Sequence, residues 1–192
     1  MPERTLVVMV KEPRPGHVKT RLGRDIGMVA AAWWYRHQTI ALLRRLHDPR
    51  WRIVLAVSPD MAVQKAIWPA DLPRIPQGIG DLGQRMARAL CRFRGPVALV
   101  GSDIPGLDRR HMARAFQALR GHDAVFGPAT DGGYWLVALR RGGLARQRMF
   151  DGARWSSPYA LADSVKALTG RRIALTDTLA DVDTAADLRH RF

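Results

Sequence analysis

Four aspartates crowd one stretch near the end of this chain, DTLADVDTAADL from Asp177 to Leu188: Asp177, Asp181, Asp183 and Asp187. The chain carries 31 Lys and Arg against 17 Asp and Glu, so carboxylates gathered in one place call for a reason. Two readings compete. Asp183 caps a helix that starts at Thr184, or Asp181 or Asp183 supplies a carboxylate to a divalent cation. A partner for such a cation is Asp103, in the glycine-bracketed turn GSDIPGL at Gly101–Leu107. Mg2+ takes one or two carboxylates together with phosphate oxygens. The plainer role for Asp103 is to organise its own turn, although Asp108 is already available as a cap for the helix that follows.

Phosphate has an equally specific candidate partner. The loop KEPRPGHVKTRLG, Lys11 to Gly23, follows the apolar run TLVVMV directly. Pro13 and Pro15 fix their own φ and Gly16 allows a tight turn. A helix start near Thr20 favours an anion, and Lys11, Lys19 and Arg21 can add charge-assisted bonds to it. The P-loop pattern G-x-x-x-x-G-K-[ST] is absent, and without a ligand the segment reads as a solvated basic loop. In GPATDGGYW, Gly127 to Trp135, Asp131-Gly132-Gly133 fits a hairpin tip. Consecutive glycines there also admit a ligand close to the backbone, with Tyr134 and Trp135 beside it.

Other chemistries lack their signatures. The six histidines show no H-x-x-x-H or H-E-x-x-H pairing, and no G-x-S-x-G elbow occurs. Cys91 is the lone cysteine. It gives neither a disulfide framework nor a cysteine zinc site, and within the helical pattern MARALCRF it reads as a structural thiol.

The elements that position these loops alternate in type. Strands are expected at Thr5–Val10, Trp51–Val57, Pro96–Val100, Asp123–Phe126, Tyr134–Leu139 and Arg172–Leu175. Helices are expected from Thr20 to His47 with a break near Gly27, after Pro59, and at Gly80–Phe93, Asp108–Leu119, Pro158–Leu168 and Thr184–His190. Pro69–Pro76 reads as too proline-rich for regular structure. The alternation implies an α/β domain, one for 192 residues, with a mostly parallel sheet covered on both faces. Ligands then bind beyond the carboxyl ends of the strands. No apolar run reaches the roughly 18 residues of a membrane span and the N-terminus lacks signal-peptide features, so a cytoplasmic protein is expected.

The formal net charge of +14 invites a basic nucleic-acid-binding module. Against it, the basic residues are arginines except for Lys11, Lys19, Lys65 and Lys166, as codon bias would produce. They are spread along the chain, and base-stacking aromatics do not interleave with them.

Six stretches in order, KEPRPGHVKTRLG, QGIGDLGQRM, GSDIPGL, GPATDGGYWL, the WSS of ARWSSPYAL, and DVDTAADL, together resemble the small bacterial proteins of the GT-A (nucleotide-diphospho-sugar transferase-like) superfamily. They resemble more distantly the molybdenum-cofactor and 2-phospholactate nucleotidyltransferases, through Asp103-Ile104-Pro105 and Asp181-Val182-Asp183-Thr184. The resemblance implies a three-layer α/β/α fold and a transferase dependent on Mg2+ or Mn2+. Asp103 and Asp183 would hold the cation. A nucleotide or nucleotide-sugar would contact Lys11, Gly16, Lys19, Arg21, Gln77, Gly80, Asp81, Gly83 and Arg85. Lys19 and Arg21 would offset phosphate charge, and Asp131 would orient or deprotonate the acceptor. Gly132, Gly133, Tyr134, Trp155 and Ser156 would line the side of a small acceptor, with or without a phosphate of its own. The G-x-G-x-R signature of pyrophosphorylases is missing, and so is the D-x-D of glycosyltransferases. Nucleotidyl transfer is the reading preferred, with glycosyl transfer as the alternative.

Overall fold

The structure, a computed structural model, describes residues 3–146 and 149–189. The apolar run after the N-terminus forms β1 (Thr5–Lys11), whose first four residues are buried. An uninterrupted buried run suits a strand with parallel neighbours and both faces covered. The next helical stretch divides into α1 (Thr20–Ile26) and α2 (Met28–Leu46) at Gly27. Gly27 has φ +92, a conformation open to glycine and strained for other residues.

β2 (Arg52–Ser58), β3 (Arg74–Pro76), α3 (Leu82–Leu90), β4 (Val97–Val100) and α4 (Arg109–Ala118) follow in order. They are succeeded by β5 (Ala124–Pro128), β6 (Tyr134–Leu139), α5 (Ala160–Lys166), β7 (Ile173–Leu175) and α6 (Ala185–Arg189). The strands form one sheet in the order β3-β2-β1-β4-β6-β5-β7. β6 runs antiparallel to both of its neighbours, and the remaining pairings are parallel. This is the mostly parallel α/β sheet that the alternation predicts. Residues alternate along β1 between two cores. Leu6, Val8 and Val10 pack with Leu42, Leu46 and Met112 of α2 and α4, and Val7 packs with Met86 and Leu90 of α3.

Three expectations need correction. Pro69–Pro76 is not wholly irregular, because Arg74–Pro76 pairs with β2 as β3. Its place at the sheet edge explains the error, since a proline lacking an N–H is tolerated where that side of the strand faces outward. The helix expected from Pro158 starts at Ala160. Ser157 makes a turn there, its hydroxyl donating to the Arg154 carbonyl and its carbonyl accepting from the Ala160 amide. In the tail, Asp183 does not cap the last helix. Asp187 accepts from the amides of Asp183 and Thr184 and from the Thr184 hydroxyl, and α6 begins at Ala185. His190, where that helix was expected to end, lies outside the described residues.

Asp108 is the N-cap of α4, accepting from the amides of Arg110 and His111. Burial alone would raise its pKa, but these bonds and the His111 ring outweigh it and hold the carboxyl below its ordinary value. Asp108→Ala is expected to lower stability by about 1 kcal/mol at neutral pH, read by urea denaturation. A depressed carboxylate stabilises above its unfolded pKa of about 3.9, and the contribution is lost as pH falls through the lower folded value. The gap between wild type and variant therefore shrinks below about pH 4.

Candidate active site

From β1 the chain builds β2 and β3 on one side, then crosses back to place β4 on the other. The crevice beyond the carboxyl ends of β1 and β4 is thus a switch point, where open α/β sheets bind ligands. A cleft with two lobes of about 630 Å³ and 570 Å³ opens there. The lobes share a wall that includes Arg21, Asp103, Tyr134 and Asp183.

Three carboxylates meet at that wall. Asp103, Asp181 and Asp183 each offer an oxygen, and the three oxygens lie within 4.8 Å of one another. Local sequence explains the convergence. Asp181 and Asp183 flank Val182 in a stretch that is neither helix nor strand. Val182 is fully buried against Leu22 and Ala31, which turns both flanking aspartates toward the cleft. The Val182 amide donates to the Asp103 carbonyl at 3.2 Å, tying the tail to the turn after β4. Such a set of hard oxygen donors fits Mg2+ or Mn2+ and would suit a soft metal poorly. Burial, then the charges of Asp103 and Asp183, push the Asp181 carboxyl above its ordinary pKa.

Lys19 faces this cluster. Its Nζ lies 2.5 Å from Asp103 and 2.8 Å from Asp183, and its side chain is only 7% exposed. Burial would lower its pKa, but the two carboxylates more than compensate and raise it. The backbone of Lys19 is left-handed, φ 45 and ψ 47, a conformation costly for a lysine that tends to occur where function fixes a side chain. Arg21 reaches Asp183 at 3.1 Å.

Of the residues expected at the nucleotide, Lys11, Lys19, Arg21, Gln77, Gly80, Asp81 and Arg85 line the larger lobe. Gly16 and Gly83 do not. Gly16 sits in an exposed turn, and Gly83 is packed against Phe150 and Trp155. Gln77 is largely structural: its amide nitrogen donates to the carbonyls of Val10 and Ala56, joining β1 to β2. Asp81 caps α3 through the Gln84 amide. Arg85 donates from Nε to the Gly80 carbonyl, which leaves the end of its guanidinium for the lobe. Sequence reasoning missed Tyr35, buried on α2. Its hydroxyl accepts from the Lys11 amide and bonds Ser102. The signal was there: a tyrosine on the apolar face of a helix needs a polar partner.

The smaller lobe gathers Asp131, Gly133, Tyr134, Trp155 and Ser156. Asp131 is exposed and accepts from the Gly133 amide, closing the hairpin turn. Gly132 lies behind the wall at φ +85, where an added Cβ would run into the backbone of Pro158. Its carbonyl accepts from the Leu161 amide, so it ties the hairpin to α5. Gly132→Ala is expected to reduce stability by about 1–3 kcal/mol. Urea denaturation reads that loss.

A sequence profile described as an uncharacterized protein conserved in bacteria (DUF2064) matches residues 40–157. The chain belongs to that family. Its fold recurs in a crystal structure from Desulfovibrio desulfuricans, provisionally a nucleotide-diphospho-sugar transferase. That protein is 30% identical, with 100% of this chain aligned to 87% of that one at a TM-score of 0.88. The manganese complex of Rv0371c from Mycobacterium tuberculosis aligns at 15% identity and a TM-score of 0.59, over 99% of this chain and 97% of that one. The 4-diphosphocytidyl-2C-methyl-D-erythritol synthase of Anaerococcus prevotii aligns at 9% identity and a TM-score of 0.62, over 98% and 94%. No curated protein matches the chain. The DUF2064 chain therefore has the GT-A-like fold that its motifs imply, and no helix among the described residues is long and apolar enough to cross a membrane.

Proposed function

We propose that this protein is a divalent-cation-dependent transferase that seats a nucleotide in the basic lobe and a small acceptor in the lobe beside it. The observation that carries the reading is the shared wall: Asp103 and Asp183 border both lobes, where a transferred group would pass from donor to acceptor. Asp103, Asp181 and Asp183 would hold the cation, which when bound neutralises phosphate oxygens and the charge that grows on a leaving group. Lys11, Lys19, Arg21 and Arg85 bind and orient the phosphates, and transfer at phosphorus depends mainly on such positioning and charge compensation. The Trp155 ring and the Tyr134 wall exclude water from the acceptor lobe. Asp131 stands at that lobe without a buried partner and takes the proton from the acceptor.

In the preferred reaction the acceptor oxygen bonds to the α-phosphorus of a nucleoside triphosphate and pyrophosphate departs. A second reading, glycosyl transfer with departure of a nucleoside diphosphate, draws support from the provisional activity of the 30% identical relative. A panel of nucleoside triphosphates and nucleotide-sugars, scored by thermal shift with and without Mn2+, tests the class. Pyrophosphate or nucleoside diphosphate release in the presence of candidate acceptors separates the two reactions. No stabilisation by any member of the panel with Mn2+ would reject both.

A further inference from the structure

Another cavity, of about 450 Å³, opens at the opposite end of the sheet. Arg4 enters it ahead of β1, Arg94 ahead of β4, Arg120 behind α4, and Arg140 and Arg141 behind the antiparallel β6. These are the amino ends of the parallel strands. The seven residues of β1 separate this cavity from the cleft by roughly 20 Å. Buried Phe116 forms part of its wall, with the Arg4 guanidinium 5.7 Å from the ring centre.

No carboxylate lines the cavity, and every Asp and Glu of the chain is among the described residues. Arg140 donates to the Arg120 carbonyl and lies 4.0 Å from Asp123. Arg94, Arg120 and Arg141 are exposed, and among the described residues their guanidinium groups are not seen in an ion pair. Asp123 offsets the Arg140 charge, and the other four like charges around the hollow repel one another with no carboxylate in an ion pair among the described residues. Their side chains are planar forks that match phosphate two bonds at a time. A single phosphate could engage one or two of them, whereas five such forks lining one cavity suit several linked phosphates. The volume falls in the range of small-molecule sites.

We propose that this cavity binds a compact oligophosphate, inorganic or carried on a nucleoside, independently of the catalytic cleft. Binding joins the guanidinium groups through a shared anion and relieves their repulsion, so it stabilises the fold and weakens with added salt.

The test titrates tripolyphosphate, and separately ATP, in EDTA, followed by calorimetry and thermal shift. It uses wild type, the rim variant Arg94→Ser/Arg141→Ser and the cleft variant Arg21→Ser/Arg85→Ser. Tripolyphosphate is expected to bind wild type and the cleft variant alike and the rim variant at least about tenfold more weakly. Equal affinity for ATP would show that the phosphates alone are read; tighter ATP binding, lost in the rim variant, would assign the nucleoside-linked form. Absence of binding to wild type, or loss in the cleft variant with retention in the rim variant, would overturn the proposal. So would a short single-stranded RNA binding through Arg94 and Arg141 far more tightly than tripolyphosphate, since the partner would then be a nucleic acid. Because the assay needs neither cation nor turnover, its failure leaves the transferase reading standing, and the reverse also holds.

Discussion

Asp103→Asn is expected to lower transfer by about two to three orders of magnitude while leaving the protein folded. Asparagine keeps the volume of aspartate, and the bond that ties this turn to the tail uses the backbone carbonyl of residue 103, which the substitution retains. Lys19 keeps its contact with Asp183 at 2.8 Å. What disappears is one of three negative oxygens gathered within 4.8 Å. Mn2+ affinity without nucleotide should fall at least about tenfold, and stabilisation by Mn2+ plus nucleotide should vanish. Asp181→Asn offers a contrast. Asp181 has no cationic partner as close as Lys19 is to the other two, and its neighbours' charges oppose its own. That variant should lose Mn2+ affinity yet gain stability in EDTA, by about 1 kcal/mol once solvent screening is allowed for. Wild-type Mn2+ affinity in Asp103→Asn would remove this cluster from the mechanism.

The site was legible in the sequence to the extent that loop chemistry is local. Proline and glycine punctuation located the turn after β1, and the acid in GSDIPGL stood out because it follows a buried strand. Position along the chain said nothing about which tail aspartate faces the cleft. Asp177 and Asp187 share the composition of Asp181 and Asp183, but Asp177 pairs with Arg114 at 2.9 Å and Asp187 organises the start of α6. The distinction rests on Val182, whose burial against α1 and α2 is a tertiary contact. Gln77 was misleading for a related reason. It lies in the lobe wall as expected, yet its amide is engaged in bridging two strands, and no local pattern reveals that. β3 escaped detection because its pairing partner lies in β2, and prolines at both ends disguise a strand that pairs along one side only.

Lys19→Met should weaken the protein and its catalysis in a way that an aspartate variant cannot imitate. Methionine retains an apolar stem in a position 7% exposed, so packing changes little, but the charge between Asp103 and Asp183 is gone. Two carboxylates about 5 Å apart repel by about 3 kcal/mol at an effective dielectric of about 20. Asp103 and Asp183 are 30% and 38% exposed, so solvent screens part of this, and a loss of about 1–2 kcal/mol is expected by urea denaturation in EDTA. A divalent cation supplies the missing charge. Mn2+ should therefore restore stability to near the wild-type level, and its affinity should equal or exceed that of wild type because the competing ammonium is absent. Turnover should still fall by about a hundredfold or more, since under the proposed mechanism Lys19 also compensates charge on the phosphates. The pairing of intact cation binding with lost turnover separates a lysine that serves the phosphates from one that only holds carboxylates in place. Reduced Mn2+ affinity in Lys19→Met would assign the residue to the second role, and undiminished turnover would exclude it from the chemistry.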